Sequence, residues 1–318
     1  MDPTKTNFRS GFVAILGRPN AGKSTLLNAL LGAKLAIVAD KPQTTRTSIL
    51  GVWTEMPSKN RPGAQIIFLD TPGINEPKTL LHQRMNAKIR EALNGRDVIL
   101  FVVDASRPFS KADEEALQWI HGLSTPVVLV LNKIDALASK ATLLPLMAHY
   151  NGLREFAEII PISALTLDGV ERVREAILSR LPPGPQYFPA DYLTNQPERF
   201  LAAELIREKI LHYTHQEVPH AVAVLVDQWE ETQSRAGPLT RILATIHVEK
   251  PGQKTIIVGK KGEMLKQIGT AARLEIERLL NRKVYLELFV KVSEHWRDRP
   301  QFLNELEQSA LSHMDDAP

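Results

Sequence analysis

No cysteine occurs among the 318 residues. That excludes disulfides, zinc sites built on thiolates and iron–sulfur clusters. No uninterrupted apolar stretch is long enough to cross a membrane, and the first ten residues lack the apolar core of a signal peptide. A soluble protein is therefore expected, with the cytoplasm as its place; a peripheral contact with the inner face of the cell membrane is compatible with the composition. Net charge is also low. Lys and Arg number 39 and Asp and Glu 36, so 39 − 36 = +3, too mild by itself to announce nucleic acid. Tryptophan is sparse, and Trp53, Trp119, Trp229 and Trp296 are expected to pack in cores rather than to form base-stacking platforms. Internal repeats and low-complexity segments are absent.

What is present is length enough for two domains, each with its own core. Short apolar runs recur at residues 12–16 (FVAIL), 65–69 (QIIFL), 98–103 (VILFVV), 127–131 (VVLVL) and 159–162. Helical patterns lie between most of them, at residues 24–31, 80–93, 112–120 and 170–181. Strands alternating with helices predict a mostly parallel sheet with helices on both faces. Residues 181–197, LPPGPQYFPADYLTNQP, are rich in proline and turn formers and predict a linker.

Beyond it the pattern changes. A helix is expected at residues 198–213, then strands at 221–227 and 242–248. Extended character is expected at 254–258, a helix at 263–280 with a break at Gly269, and an alternating strand at 284–292. A last helical piece follows Pro300. Charge is uneven here. Residues 250–283 carry nine Lys and Arg against three acids, a balance of +6, whereas the tail after Pro300 carries four acids and no Lys or Arg. A basic stripe thus surrounds a second glycine-bearing segment, GKKG, residues 259–262.

The chemistry starts at residues 17–24, GRPNAGKS, which fit G-x-x-x-x-G-K-[ST] between an apolar strand and a helix. In such a loop the backbone N–H groups of Gly17, Asn20, Ala21, Gly22 and Thr25 surround phosphates. Lys23 neutralises the β and γ oxygens, and Ser24 turns its hydroxyl to Mg²⁺. This predicts a nucleoside triphosphate without saying which. NKID, residues 132–135, ends an apolar run, at the edge where open α/β sheets bind ligands. The Asp135 carboxylate can accept from the ring N–H and exocyclic amine of guanine, a donor pair that adenine lacks. Asn132 and Lys133 accompany it. DTPG, residues 70–73, offers Asp70 to Mg²⁺ through water and the Gly73 N–H to the γ-phosphate. Ser163 and Ala164 begin SAL, where the Ala164 N–H faces guanine O6. Between the first two motifs, KPQTTRT holds Thr44 and Thr45, one of which completes the Mg²⁺ shell.

GRPNAGKS, TTR, DTPG, NKID and SAL, in this order, resemble a GTPase of the TrmE–Era–EngA group over roughly the first 180 residues. The resemblance implies that Thr45 is the switch threonine, so that Ser24, Thr45 and Asp70 hold the metal. It also implies Lys23, Thr45, Gly73 and Asn20 as the residues that act on the transferred phosphate. Ras-type GTPases place a water-orienting Gln after the DxxG glycine; here that position is Ile74. Related GTPases with Asn at the position of Asn20 recruit K⁺, which makes K⁺ a candidate cofactor beside GTP, GDP and Mg²⁺; an alternative is that Asn20 only orders the loop.

A Gly-x-x-Gly between structured elements, with basic flanks, resembles the loop of a KH domain, which clamps a single-stranded nucleic-acid backbone. The combination closely resembles the Era family over nearly the whole chain. The implied fold is an α/β P-loop GTPase domain plus an α+β type II KH domain. The expected divisions are an N-terminal extension at 1–9, the GTPase domain at 10–182, the linker at 183–197, the KH domain at 198–300, and a C-terminal helix with an acidic tail at 301–318. The resemblance implies GTP hydrolysis and binding, not to DNA, but to small-subunit ribosomal RNA near its 3′ end and to the 30S subunit. The RNA-facing residues would be Gly259, Lys260, Lys261, Gly262, Lys266 and Lys283. Two features depart from the family pattern: residues 55–64, EMPSKNRPGA, exceed a tight turn, and the acidic tail is long. Bland roles are expected for His212 and His215, at a helix end, and for the charged run 204–209, as a solvated helix face.

Overall fold

The computed structural model describes residues 8–39, 41, 44–58, 61–74, 76–215, 218–234 and 237–311. The chain divides into two compact units. The first takes the chain up to Ala36, then Thr45–Glu76 and Arg84–Thr194; the second takes Ile37–Thr44, Pro77–Gln83 and the chain from Asn195 onward. Expectations for residues 1–7, for Pro42 and Gln43, for Lys59 and Asn60, and for the tail from residue 312 fall outside the described residues.

In the first unit a six-stranded sheet runs in the order β2-β3-β1-β4-β5-β6. Its strands are β1 (Phe8–Gly17), β2 (Ile49–Glu55), β3 (Gly63–Asp70), β4 (Val98–Asp104), β5 (Val127–Asn132) and β6 (Glu158–Pro161). All neighbours are parallel except β2, which pairs antiparallel with β3. The helices are α1 (Lys23–Leu31), α2 (Leu80–Leu93, in this unit from Arg84 onward), α3 (Lys111–Leu117), α4 (Leu143–Leu153) and α5 (Val170–Leu178). Continuous apolar runs are what a sheet covered on both faces requires. Ala14, Leu16, Ile99, Phe101, Leu129 and Leu131 share a core with Ile89, Ala116 and Tyr150. The intervening Val13, Ile15, Leu100, Val102, Val128 and Val130 are just as buried. Strand order reverses at β1, so the sheet's carboxyl edge there is a ligand crevice.

Local rules set the helix ends. Gly32, with φ 68°, closes α1 by donating its N–H to the Asn28 carbonyl. Ser110 and Asp113 form a reciprocal capping box at α3. The proline-rich residues 181–194 do not run free. Gln65 donates to the Phe188 carbonyl and accepts from the Tyr187 and Phe188 N–H groups, and the Val52 N–H donates to the Leu193 carbonyl. Strand β2 and helix α4 have no counterpart among the apolar runs and helical patterns described above.

The second unit holds α6 (Glu198–Tyr213), α7 (Val218–Ala221), β7 (Ala223–Ser234), β8 (Gly237–Val248), α8 (Pro251–Val258), α9 (Glu263–Leu280), β9 (Lys283–Val292) and α10 (Pro300–Ser309). Its sheet is β7-β8-β9, antiparallel then parallel. Ile206 and Ile210 of α6 and Ile268, Ala272 and Ile276 of α9 pack on Ile242, Ala244 and Ile246 of β8.

Three sequence expectations are corrected here. Residues 254–258 are helical, not extended. Pro251 occupies the first turn of α8, and Gln253 Oε1 accepts the Glu249 and Lys250 N–H groups at 2.9 Å each, so local capping outweighs the β-branched run. Gly269 does not break α9; a Cβ there would stand 3.3 Å from Leu288, so the glycine lets the helix lie close to β9. The charged run 204–209 is not a solvated face. Arg207, Glu208 and Lys209 are buried, and each is paired: Arg207 with Glu204, Lys209 with Glu208 and Glu275, while Glu208 also accepts the Val38 N–H at 2.9 Å. Charge pairing is what makes such burial tolerable.

Trp296 is fully buried, with Nε1 donating to the Ala221 carbonyl at 2.8 Å. Trp53 and Trp119 lie under Arg174 and Arg90. His212 sits in the last turn of α6. Among the described residues, no helix is long and apolar enough to cross a membrane.

Candidate functional site

The loop after β1 is shaped by backbone conformations that few residues adopt. Gly17 has φ 154° and Gly22 φ 94°, and Asn20 is left-handed at 63°. A Cβ on Gly17 would sit 2.2 Å from the Val102 carbonyl oxygen, and one on Gly22 2.2 Å from Asn132 Nδ2. Gly73 packs its α-carbon against Pro19, leaving 2.8 Å for any Cβ. These glycines are therefore needed for close approach, to backbone at Gly17 and Gly73 and to the Asn132 side chain at Gly22, before any ligand is considered. The Asn20 side chain makes no bond among the described residues. Thr25 follows in the first turn of α1, half-buried.

Behind the loop lies a compact ionic cluster. Lys23 is buried, and its Nζ donates to the Gly17 and Arg18 carbonyls at 3.2 and 3.1 Å. Burial pushes its pKa down to about 8, with Asp70 opposing the fall. Asp70 ends β3, fully buried. Its Oδ2 accepts from Ser24 Oγ at 2.8 Å and faces Thr45 Oγ1 at 3.5 Å, while Ser24 and Thr45 lie 2.7 Å apart. Its Oδ1 has no partner among the described residues. Burial pushes the Asp70 pKa up to about 6, against the pull of Lys23, Ser24 and Thr45. Two hydroxyls and a carboxylate with an orphaned oxygen are an all-oxygen donor set, which suits a hard divalent cation such as Mg²⁺. Thr44, the alternative to Thr45, spends its hydroxyl on the Ala39 and Lys41 carbonyls.

On the base side Asn132 is the brace. Its Nδ2 donates to the Ala21 carbonyl and its Oδ1 accepts from the Ala164 N–H, both at 2.9 Å, tying phosphate loop, NKID and SAL together. The Ala164 N–H, expected to face guanine O6, is thus already engaged, and an O6 bond would compete with Asn132. Ser163 is buried, and its Oγ accepts the Thr166 N–H at 3.1 Å. Asp135 is exposed, with no described residue holding its carboxylate. Lys133 is left-handed, φ 67°, and its Nζ lies 2.8 Å from Asp104 Oδ2. Asp104, the last residue of β4, is absent from the sequence motifs above; a carboxylate closing an apolar strand beside the NKID strand was the available signal. Ile74, partly buried against the core, brings no polar group to the site.

In the second unit α8 ends at Gly259, with φ 70° and ψ −178°. A Cβ there would lie 2.6 Å from Met264 Cβ, whereas at Gly262 (φ 82°) it would meet open space. Lys260–Gly262 forms a single turn with Lys261 left-handed at 52°. Lys260, Lys261 and Lys266 are exposed and none has an ion-pair partner among the described residues. Gly262 caps α9, so that helix's first N–H groups stand beside the two lysines. Lys283 is elsewhere. It follows the other end of α9, about 27 Å away at 1.5 Å per residue over 18 residues, where it approaches Glu277 at 3.8 Å.

A phosphate loop after β1 of a mostly parallel sheet, a buried acid–lysine–hydroxyl cluster and a separate three-stranded unit with a glycine loop define a P-loop GTPase joined to a KH domain. The chain matches two family models accordingly, a 50S ribosome-binding GTPase over residues 12–133 and a KH domain over residues 217–297. It is 50% identical to GTPase Era of Geobacter metallireducens over 94% of this chain and 97% of that one. It is 49% identical to GTPase Era of Syntrophus aciditrophicus over 94% of each. Among solved structures, Era of Aquifex aeolicus bound to GDP and AlF4⁻ superposes with a TM-score of 0.88 at 44% identity, covering 95% of this chain and all of that one. Era in complex with MgGDPNP and nucleotides 1506–1542 of 16S ribosomal RNA gives the same TM-score and identity over 96% of this chain. The chain belongs to the Era family of GTPases.

Proposed function

We propose that this GTPase is a switch in small-subunit assembly, binding 16S ribosomal RNA near its 3′ end, and the 30S subunit, through the GKKG loop. The observation that carries the nucleotide side is the Asp70 cluster, whose unpaired Oδ1 and two neighbouring hydroxyls await a divalent cation. Ser24, Thr45 and Asp70 would hold Mg²⁺. Gly17, Asn20, Ala21, Gly22, Lys23, Thr25 and the Gly73 N–H would surround the phosphates, and Asn132, Lys133, Asp135, Ser163 and Ala164 would face the base. Mg²⁺, when bound, supplies charge neutralisation between the β and γ oxygens. Lys23 carries the protein's own positive charge to them.

With Ile74 after the DTPG glycine, no side chain there orients water. Asn20, whose carboxamide makes no bond among the described residues, would be the ligand of a K⁺ ion acting as the substitute charge. On the RNA side, Lys260, Lys261 and Lys266 with the N–H groups at Gly259–Gly262 would take phosphates, and Lys283 would act at a separate point. What supports this reading is the relative that holds 16S ribosomal RNA, together with an exposed basic loop whose Gly262 faces open space. The corresponding divisions are the GTPase domain at 10–182, the linker at 183–197 and the KH domain at 198–300, working in the cytoplasm, with a peripheral membrane contact as an accessory.

The test has two arms. Turnover of GTP over ATP in Mg²⁺ should be selective. A labelled 16S 3′-end RNA should bind more tightly than a scrambled strand of equal length. Equal turnover of both nucleotides, or equal binding of both strands, would overturn the corresponding half.

A further inference from the structure

We propose that Asp104 is a positioning residue for guanine recognition, acting through Lys133. Asp104 pairs with Asn132 in the register of β4 and β5, and the next residue, Ala105, donates its N–H to the Asn132 carbonyl at 2.8 Å. The carboxylate divides its oxygens between two tasks. Oδ2 takes the Lys133 ammonium at 2.8 Å; Oδ1 takes the Ser106 hydroxyl at 2.6 Å and the Ser106 N–H at 3.0 Å. Burial pushes the Asp104 carboxyl up, but the bonds from Lys133 and Ser106 outweigh it and hold it below the ordinary carboxylate range. Arg107 approaches the same Oδ2 at 3.6 Å, but its side chain is 69% exposed, so water screens it.

Lys133 needs such an anchor. Its backbone is left-handed, a conformation that a residue with a Cβ keeps only when its surroundings impose it. A free lysine side chain samples many rotamers. With Nζ held by Asp104, the methylene stem becomes a fixed apolar strip between Asn132, the last residue of β5, and Asp135. A purine entering beside Asp135 then meets a preformed wall, and the cost of ordering that wall on binding falls. The inference rests on the reading that this loop receives guanine.

The experiment compares full-length parent, Asp104→Asn, Asp104→Glu, Lys133→Ala and the double variant Asp104→Asn with Lys133→Ala. Each is assayed for GTP, GDP and ATP affinity, for kcat and KM, and for thermal melting. Asp104→Asn should weaken GTP and GDP alike by about tenfold and raise KM with kcat unchanged. Asp104→Glu, which keeps the charge, should recover most of the loss. In the Lys133→Ala background Asp104→Asn should add less than about twofold, because the two act as one unit.

Parent affinity in Asp104→Asn, full additivity in the double variant, or a fall in kcat without a change in KM would overturn the proposal. A parent that binds ATP as well as GTP would instead overturn the guanine reading beneath it. Should Asp104→Asn not fold, Ser106→Ala loosens the carboxylate and leaves the ion pair. It should weaken GTP about two- to threefold, an effect that disappears in the Lys133→Ala background; persistence there would count against the proposal.

Discussion

Lowering the pH should weaken Mg²⁺ binding because the metal must displace a proton from Asp70. With its pKa near 6, this carboxyl is protonated in the metal-free site below that value. Its pKa is raised relative to 3.8, so the stability it contributes is fully present below 3.8 and lost as pH rises through about 6. Binding a cation reverses that penalty and favours the ionised form. At pH 7.5 roughly 97% of metal-free molecules carry the carboxylate, and at pH 5 roughly 9%, so Mg²⁺ should bind about tenfold more weakly at pH 5. Lys23 works in the same direction, because its positive charge opposes a cation. With a pKa near 8 it is roughly three-quarters charged at pH 7.5 and fully charged at pH 5, so its charged fraction changes by only about 1.3-fold. The Asp70 effect therefore dominates. The assay is a Mg²⁺ titration of a complex with fluorescent GDP at both pH values, with Asp70→Asn as the reference that removes this titration while keeping that of the nucleotide's own phosphates. A parent-minus-variant difference that does not change between pH 7.5 and pH 5 would refute the reasoning.

Other outcomes follow from the same geometry. Asp135→Asn should weaken GTP at least about tenfold by loss of a charge-assisted bond worth about 1.5–3 kcal/mol, while xanthine nucleotides gain, as competition binding would read. Hydrolysis should survive Ile74→Ala at near the parent rate. If K⁺ stimulates over Na⁺, Asn20→Ala should abolish the stimulation, and an unchanged K⁺ effect would remove Asn20 as its ligand. Replacing Lys260 and Lys261 together with Ala should weaken single-stranded RNA nearly equally for different sequences. It should also flatten the salt slope by up to about 1.4, at about 0.7 per lost phosphate contact. Gly259→Asp should be worse for RNA, because a Cβ there would lie 2.6 Å from Met264 and the carboxylate would repel phosphate. GTP affinity should be unaffected by either change.

How much of this was legible in the sequence depended on how local each feature is. GRPNAGKS, DTPG and NKID are contiguous, and strand ends place them, so apolar runs read from the sequence located them. Helices α2 and α6 were readable to the residue because their patterns are unbroken. The Asp104–Lys133 pair and the Asn132 brace were not readable, because they join residues 29 and 111 positions apart that only the folded chain brings together. Strand β2 is marked in the sequence only by the turn expected after it at residues 55–64, because an antiparallel edge strand beside β3, partly exposed toward its end, lacks a continuous apolar run. Residues 254–258 misled because Ile256-Ile257-Val258 favours strands, while the proline and glutamine that start α8 lie just before them. Arg207, Glu208 and Lys209 misled because charge on a helix normally means solvent; only their partners, some of them distant in sequence, reveal the burial.

The central claim is that a GTPase unit is joined to a unit that grips ribosomal RNA at its GKKG loop. Crosslinking of the full-length protein in cells, followed by sequencing of the bound RNA, tests it most directly. The account predicts enrichment at the 3′ end of small-subunit ribosomal RNA, with the crosslinked yield falling when Lys260 and Lys261 are both replaced by Ala. Crosslinks spread over unrelated RNAs, or a 3′-end yield undiminished by that replacement, would contradict it.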